Sequence, residues 1–178
     1  MVVDATLQTT CPGVYAAGDV IGGEMYVYTA AYEGRLAAEN ALTGAAEARD
    51  YTALPWVIFT DPQVAGVGLD ERQATDAGYA AEATTVPLSY VPRAVAARDT
   101  RGFLTLVRDR DTDRLLGARV LAPEGAELLM ELALANKYQI PTRELAAMFH
   151  PYLTLGEAVK LAAITFGKDV ARLSCCAT

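Results

Sequence analysis

Residues 103–121 have the sequence FLTLVRDRDTDRLLGARVL, in which two apolar runs flank a charged turn. The runs at residues 103–107 and 115–121 have the length of β-strands, and the turn between them is rich in Asp and Arg. This pattern is typical of a β-hairpin and therefore of antiparallel pairing. The charges at residues 109–114 are most simply interpreted as a solvated turn.

Further strands and helices are predicted on both sides of this hairpin. The apolar run at residues 56–59 lies between Pro55 and Pro62 and predicts a buried strand. Asp70 predicts the N-cap of a short helix that Gly78 ends. The other predicted elements are strands at residues 64–69 and 82–88, and helices at residues 126–138, from residue 141 and at residues 155–166. The order β-β-α-β-β-β-α-α-α predicts an α+β fold, an antiparallel sheet with flanking helices.

The chain before residue 55 has a different pattern. Residues 1–20 are strand-like, residues 26–42 predict an Ala-rich helix, and residues 45–54 are polar. We therefore predict three regions: residues 1–44, a linker at residues 45–54, and residues 55–178. Strand residues at 2–10 have no local sheet to join, so the chain is expected to begin inside a domain, as an excised fragment does.

Composition excludes several functional classes. The net charge is −7 over 178 residues and no stretch gathers Lys and Arg into a patch, which argues against nucleic acid as a partner. No apolar run is long enough to cross a membrane, and no signal peptide is visible. The three cysteines are an odd number, which does not suit a secreted disulfide framework. We expect a cytoplasmic protein, with Cys11 in a structural position.

Two adjacent cysteines, Cys175 and Cys176, lie near the end of the chain. Thiolates bind soft metal ions in preference to carboxylate or imidazole. Two sulfurs suit a metal ion that accepts two ligands, whereas a structural zinc site needs four. A chance Cys-Cys pair or a redox pair remains open on these residues alone.

Residues 14–20, VYAAGDV, place a glycine and an aspartate after an apolar strand. Ligands of α/β sheets bind at that end of a strand. Gly18 permits close backbone approach, and the carboxylate of Asp19 accepts hydrogen bonds from hydroxyl groups. The alternative is a plain strand, turn and helix with Asp19 as a cap.

The segment PGVYAAGD, residues 12–19, resembles the second FAD fingerprint of the pyridine nucleotide-disulphide oxidoreductases. The resemblance implies that residues 1–44 end an FAD-binding domain with its last strand and helix. It implies that Asp19 binds the ribityl chain of FAD, that Gly18 allows the close approach, and that Val27 and Tyr28 lie near the flavin. FTDPQVAGVG, residues 59–68, resembles the opening of the family's dimerisation domain, and residues 102–103, 115–117 and 125–128 resemble later landmarks of that domain in order. A homodimer is therefore expected.

Three further segments resemble the branch of this family that reduces mercuric ions: VPRA followed by DTRGF (residues 91–94 and 99–103), PYLT (residues 151–154) and LSCCA (residues 173–177). In that branch FAD and an NADP cofactor, as NADPH, reduce Hg(II) to Hg(0). The resemblance implies that Cys175 and Cys176 bind Hg(II) and pass it to the active site of the partner subunit. Tyr152 would line that active site. The alternative interpretation is that Tyr152 is an ordinary aromatic residue of the interface. Since the chain has no GxGxxG and no Cys-x-x-x-x-Cys, we expect it neither to bind FAD tightly nor to turn over by itself.

One departure from the family concerns His150. The disulfide-reducing members carry His-Pro-Thr-x-x-Glu, whose His and Glu shuttle protons. Here Leu155 stands in place of the Glu and Glu157 comes two residues late, which turns it by about 200° around a helix. His150 is therefore expected to be a leftover or a plain polar residue. Two alternatives remain: a lipoamide dehydrogenase-like reductase with a chance Cys-Cys end, and a free-standing dimeric metal-binding module.

Overall fold

The computed structural model describes residues 1–173. By its internal contacts the chain divides into two compact units, Met1–Tyr51 and a second that begins at Thr52. The three regions predicted from the sequence stay a prediction. No helix among the described residues is both long enough and apolar enough to span a membrane.

A single antiparallel sheet organises residues 52–173, with the strand order β1-β2-β5-β4-β3. This confirms the predicted α+β fold. The strands are β1 (Trp56–Ile58), β2 (Gln63–Gly68), β3 (Ala81–Pro87), β4 (Phe103–Asp109) and β5 (Leu115–Ala122).

The predicted hairpin is the centre of this sheet. Strands β4 and β5 pair from Phe103 opposite Leu121, and the register shifts by a bulge between Val107 and Arg108. Because side chains alternate along a strand, Leu104, Leu106 and their partners Val120 and Ala118 share one face, and all four are buried. This face forms the floor of the core.

Helices cover that buried face. From these helices, Leu132, Ala158 and Val159 lie in the same apolar cluster as the strands. The burial of this cluster is the main source of the unit's stability. The helices of the second unit are α2 (Glu71–Asp76), α3 (Pro92–Ala97), α4 (Leu129–Lys137), α5 (Thr142–Ala147) and α6 (Glu157–Ile164).

Three details differ from the sequence-based predictions. Helix α3 was not predicted; Pro92 begins it, and Arg98 ends it in the left-handed region at φ +58°. The predicted helix at residues 126–138 begins as a 3-10 turn, Gly125–Leu128, before α4. The predicted buried strand at residues 56–59 is the half-exposed edge strand β1, since it pairs only with β2, and Phe59 beyond it is 78% exposed.

The charged turn at residues 109–114 is also more than a solvated loop. Arg108 donates to Glu82 at 2.8 Å and to Asp113 at 2.9 Å. Asp113 in turn accepts bonds from the Thr142 hydroxyl and from the Arg143 backbone N–H at 3.1 Å. These bonds tie the hairpin to the start of α5, while residues 110–112 and 114 are exposed, as expected of a solvated turn.

In Met1–Tyr51 the predicted helix is present as α1 (Val27–Thr43), which packs Leu36 and Ala37 against Leu7. The strand expected over residues 1–20 forms as two isolated bridges, Val3 with Thr9 and Gln8 with Tyr15. A strand needs a neighbour to which its backbone can bond, and residues 1–51 supply one α-helix, one 3-10 helix and no strand.

Candidate functional site

The turn that carries the glycine-aspartate pair is the 3-10 helix Gly18–Ile21. Gly18 has φ +74°, and a Cβ added there would lie 3.2 Å from the Cβ of Ala30 in α1. Only glycine therefore combines this backbone conformation with this contact at low cost. The packing of the turn on α1 explains the glycine; its predicted role toward FAD stays a prediction.

A buried carboxylate holds the turn in place. The N–H of Gly18 donates to Oε2 of Glu33 at 2.6 Å, and the hydroxyl of Tyr51 donates to Oε1 of the same side chain. Burial, followed by the hydrogen bond to Glu33, raises the pKa of Tyr51 to about 12, so the phenol stays protonated and donating. Sequence reasoning missed both residues, since nothing near Gly18 in the chain points to partners 15 and 33 positions away.

Asp19 and the start of α1 are the predicted cofactor contacts. Asp19 and Val27 are exposed, and Tyr28 is partly exposed, with its ring stacked on Tyr26 at a centroid distance of 5.3 Å. Burial raises the pKa of Tyr28, and the neighbouring Tyr26 and Glu24 act in the same direction. Among residues 1–173 the carboxylate of Asp19 has no hydrogen-bond donor. An open carboxylate and a helix N-terminus are groups that fit a polyhydroxyl chain and a polar ring edge.

The second predicted site residue, Tyr152, lies in residues 148–156 between α5 and α6, which we name the connecting segment. Tyr152 is 63% exposed, and Phe149 is 100% exposed. Leu153 has φ +67°, a conformation that costs energy for any residue with a Cβ. The segment therefore presents aromatic groups to solvent on a constrained backbone.

His150, expected to be a leftover or a plain polar residue, has a partner in the structure. Its side chain is 5% exposed, and its Nε2 lies 2.8 Å from Oε1 of Glu131 in α4. Glu157, two residues late for the family's dyad, starts α6; it is buried, and its Oε2 has no partner among the described residues. Glu131 is 19 positions from His150, and no sequence signal points to it.

An apolar stripe lies on the outer side of α4. Met130, Leu134 and Tyr138 are each at least half exposed, at positions i, i+4 and i+8 of one helical face. We name these three residues the α4 stripe. Helix α6, in contrast, uses its apolar face in the core.

An open cavity of about 600 Å³ lies beside the connecting segment. Its lining includes Leu153 and Leu155 of that segment, Arg93 of α3, and Glu127. The end of the connecting segment therefore faces open space as well as the core.

Neither tail cysteine lies within the described part of the chain, so the predicted metal ligands Cys175 and Cys176 stay a prediction. Within residues 1–173, no group of three or more His, Cys, Asp or Glu side chains could hold a metal ion. Cys11 is exposed and free, which contradicts the expectation of a structural position.

Comparison with known proteins relates the chain to a family. The model of the pyridine nucleotide-disulphide oxidoreductase dimerisation domain matches residues 54–163. A mercuric reductase of Streptomyces lividans is 49% identical over 99% of this chain and 37% of its own length, and one of Bacillus cereus is 44% identical over 99% of this chain and 28% of its own. The chain thus spans about a third of the length of these curated relatives.

Among solved structures, the Cu(II) complex of the HOCl-induced flavoprotein disulfide reductase RclA from Escherichia coli superposes with a TM-score of 0.82. It is 28% identical, and the match covers 94% of this chain and 38% of RclA. The similarity includes both the sheet unit and most of the residues before it.

Proposed function

Because the chain belongs to the pyridine nucleotide-disulphide oxidoreductases through their dimerisation domain, we propose that it is part of an FAD- and NADPH-dependent mercuric ion reductase. The observation that carries the proposal is the similarity to mercuric reductases over nearly the whole chain. The reaction reduces Hg(II) to Hg(0) with two electrons from NADPH. The cytoplasm is the proposed compartment, because the reaction needs reduced thiols and thiols stay reduced there.

The first role of this chain is to join two subunits. The α4 stripe is supporting evidence, because contiguous exposed apolar residues mark protein interfaces. Phe149 and Tyr152 of the connecting segment add exposed aromatic groups, a residue class that is enriched at interfaces. We propose a homodimer in which the α4 stripe lies at the interface.

The second role is to complete the flavin site. Asp19 would accept hydrogen bonds from the ribityl hydroxyls, and Val27 and Tyr28 would lie near the ring, beside the turn that Gly18 and Glu33 hold. When bound, FAD supplies electron transfer between NADPH and the thiols that hold the metal ion. These residues are one edge of a larger site, so the chain alone is proposed neither to bind FAD tightly nor to turn over.

The third role is to deliver the substrate ion. Cys175 and Cys176 would capture Hg(II), because two thiolates suit a soft ion. Transfer to other thiols proceeds by stepwise ligand exchange, which is fast when the donor ligands are accessible. Tyr152 would line the receiving site of the partner subunit, where its exposed phenol can approach the ion.

The lipoamide dehydrogenase-like alternative is weaker. Its proton shuttle needs a His and a Glu in one local motif, whereas His150 is paired with Glu131 from another helix. The sequence identity of this chain to the matched mercuric reductases is also higher than its identity to the matched disulfide reductase RclA.

Native mass spectrometry with Hg(II) tests the proposal, on the chain and on a Cys175→Ser, Cys176→Ser variant. We expect one Hg(II) per chain that resists excess monothiol and is lost in the variant, because two sulfurs of one chain outcompete single thiols. Equal binding by both proteins, or none that survives the monothiol, would contradict the relay and leave only the family assignment. Cys11→Ser is the matched control and should bind as the parent does.

A further inference from the structure

The first part of the connecting segment, residues 148–153, has one inward side chain. In residues 147–153 every residue is exposed except His150. Phe149, one residue before it, and Tyr152, two residues after it, are exposed to solvent. Apolar burial therefore contributes little to fixing this part of the chain, and the contacts of His150 become decisive.

Those contacts are few. Nε2 of His150 lies 2.8 Å from Oε1 of Glu131, within hydrogen-bond distance, whereas Nδ1 lies 3.4 Å from the backbone oxygen of Met148. The second distance belongs to a weak contact. The hydroxyl of Thr154 donates to the backbone oxygen of Pro151 at 2.8 Å, which closes a turn around Tyr152 but ties it to nothing outside the segment.

The backbone beside Tyr152 also needs an external restraint. Leu153 is in the left-handed region at φ +67°, where a branched side chain is unfavourable. Such a conformation persists only when the surrounding structure holds it. On the N-terminal side of Leu153, the backbone bond from the Met148 N–H to the oxygen of Glu144 at 3.0 Å ties the start of the segment to α5, and the bond from His150 ties it to α4.

We propose that His150 and Glu131 are positioning residues, whose hydrogen bond fixes the connecting segment on α4 and so sets where Tyr152 is presented to the partner subunit. The role of Tyr152 toward Hg(II) rests on the proposed function, but the restraint itself does not. A bond between imidazole and carboxylate suits the task, because charge-assisted bonds are short and directional.

Hydrogen-deuterium exchange of the full chain tests the restraint. In Glu131→Ala, amides of residues 148–154 should exchange about tenfold faster, the effect expected for the loss of one strong hydrogen bond that limits local opening. Amides of α6 and of β4 should exchange as in the parent. Exchanging the two groups, in a Glu131→His, His150→Glu double variant, should restore slow exchange.

Glu144→Ala is the matched control, since it removes an exposed carboxylate from the neighbouring helix α5 and should change nothing. Unchanged exchange at residues 148–154 in Glu131→Ala would overturn the proposal. So would an equal rise throughout the sheet unit, because the pair would then serve general stability.

A kinetic arm separates this inference from the proposed function. In the complete flavoenzyme, Glu131→Ala should raise KM for Hg(II) with little change in kcat. In the Tyr152→Phe background, Glu131→Ala should no longer change KM, since both substitutions act through the ring of Tyr152. If Glu131→Ala changes KM equally in the presence and absence of the Tyr152 hydroxyl, positioning through that group is overturned. If Tyr152→Phe alone has no effect, the proposed role of Tyr152 fails, and the exchange data still decide the restraint.

Discussion

At the scale of single residues, the buried carboxylate of Glu33 organises the start of the chain. It accepts one bond from the backbone of Gly18 and another from the hydroxyl of Tyr51. A buried carboxylate is costly unless donors satisfy it, and here two donors from distant parts of the unit do so. The turn that carries Asp19 is therefore held by a polar contact as well as by packing.

Tyr51→Phe should lower the free energy of unfolding by about 1 kcal/mol. This is less than the usual cost of losing a hydrogen bond to a charged group, because the ring is partly exposed. The pKa of Tyr51 is raised from 10.0 to about 12, so its stabilisation is complete below pH 10 and is lost as the pH rises through 12. The stability difference between parent and variant should therefore narrow between those values. Urea unfolding at pH 8 and at pH 11.5 measures it.

Tyr26→Phe is the control for that experiment, since it makes the same chemical change in the same unit. Its hydroxyl bonds to nothing among residues 1–173, so the variant should match the parent at both pH values. A difference between Tyr51→Phe and the parent that does not depend on pH would show that the phenol contributes by packing alone.

At the scale of secondary-structure elements, Asp113 bonds the β4–β5 turn to the start of α5. Asp113 accepts bonds from Arg108, Thr142 and Arg143, and the guanidinium of Arg108 lies 4.2 Å from the ring centroid of Phe166. One acidic side chain thereby connects the hairpin with the first turn of a helix.

The stabilisation that Asp113 contributes to the fold should depend on pH. Burial alone would raise the pKa of Asp113, but the bonds from Thr142, Arg143 and Arg108 outweigh it and hold the pKa below 3.8. A lowered carboxyl pKa stabilises the fold above the unfolded value, and this stabilisation is lost as the pH falls below 3.8 through the folded value.

Asp113→Asn tests this contribution, because it keeps the shape of the side chain and removes its charge. It should cost about 1–2 kcal/mol at pH 7, and the cost should shrink at pH 3. Thermal unfolding at both pH values measures it, with Asp111→Asn in the same turn as control. A cost that is the same at pH 3 and pH 7 would show that the charge of Asp113 does not matter.

At the scale of the whole molecule, the distribution of apolar surface accounts for the proposed dimer. The sheet buries one face under α4 and α6, and the outer side of α4 remains apolar. A helix that is apolar on two sides satisfies one side within its own chain and leaves the other for a second chain. The connecting segment carries Phe149 and Tyr152 in the same unit.

Leu134→Glu should therefore weaken the dimer by at least about thirtyfold in dissociation constant, because a charge would be buried at the interface. The far-ultraviolet circular dichroism should not change, since the side chain is exposed in the single chain. Sedimentation equilibrium measures the association. Leu42→Glu, at an exposed leucine of α1, is the matched control; if it weakens association equally, the effect is not specific to the α4 stripe.

Local elements were predictable where the pattern itself is local. The hairpin follows from two apolar runs around a turn, and α2 follows from the N-cap Asp70, which forms a capping box with Gln73. Short elements were harder: α3 has only six residues and gives no helical period. The edge position of β1 was not predictable, because an apolar run does not show whether one strand or two will pair with it.

By itself, the amino-acid sequence determined the strands, helices and turns of the sheet unit and the motifs that point to the family, since periodicity, capping and turn chemistry act between residues close in the chain. Only the tertiary structure decided which distant groups meet. Glu33 reaches Gly18, Asp113 holds Thr142, and Glu131 finds His150. These pairs form because packing brings their elements together, and a side chain's partner across the fold leaves no trace in its local sequence.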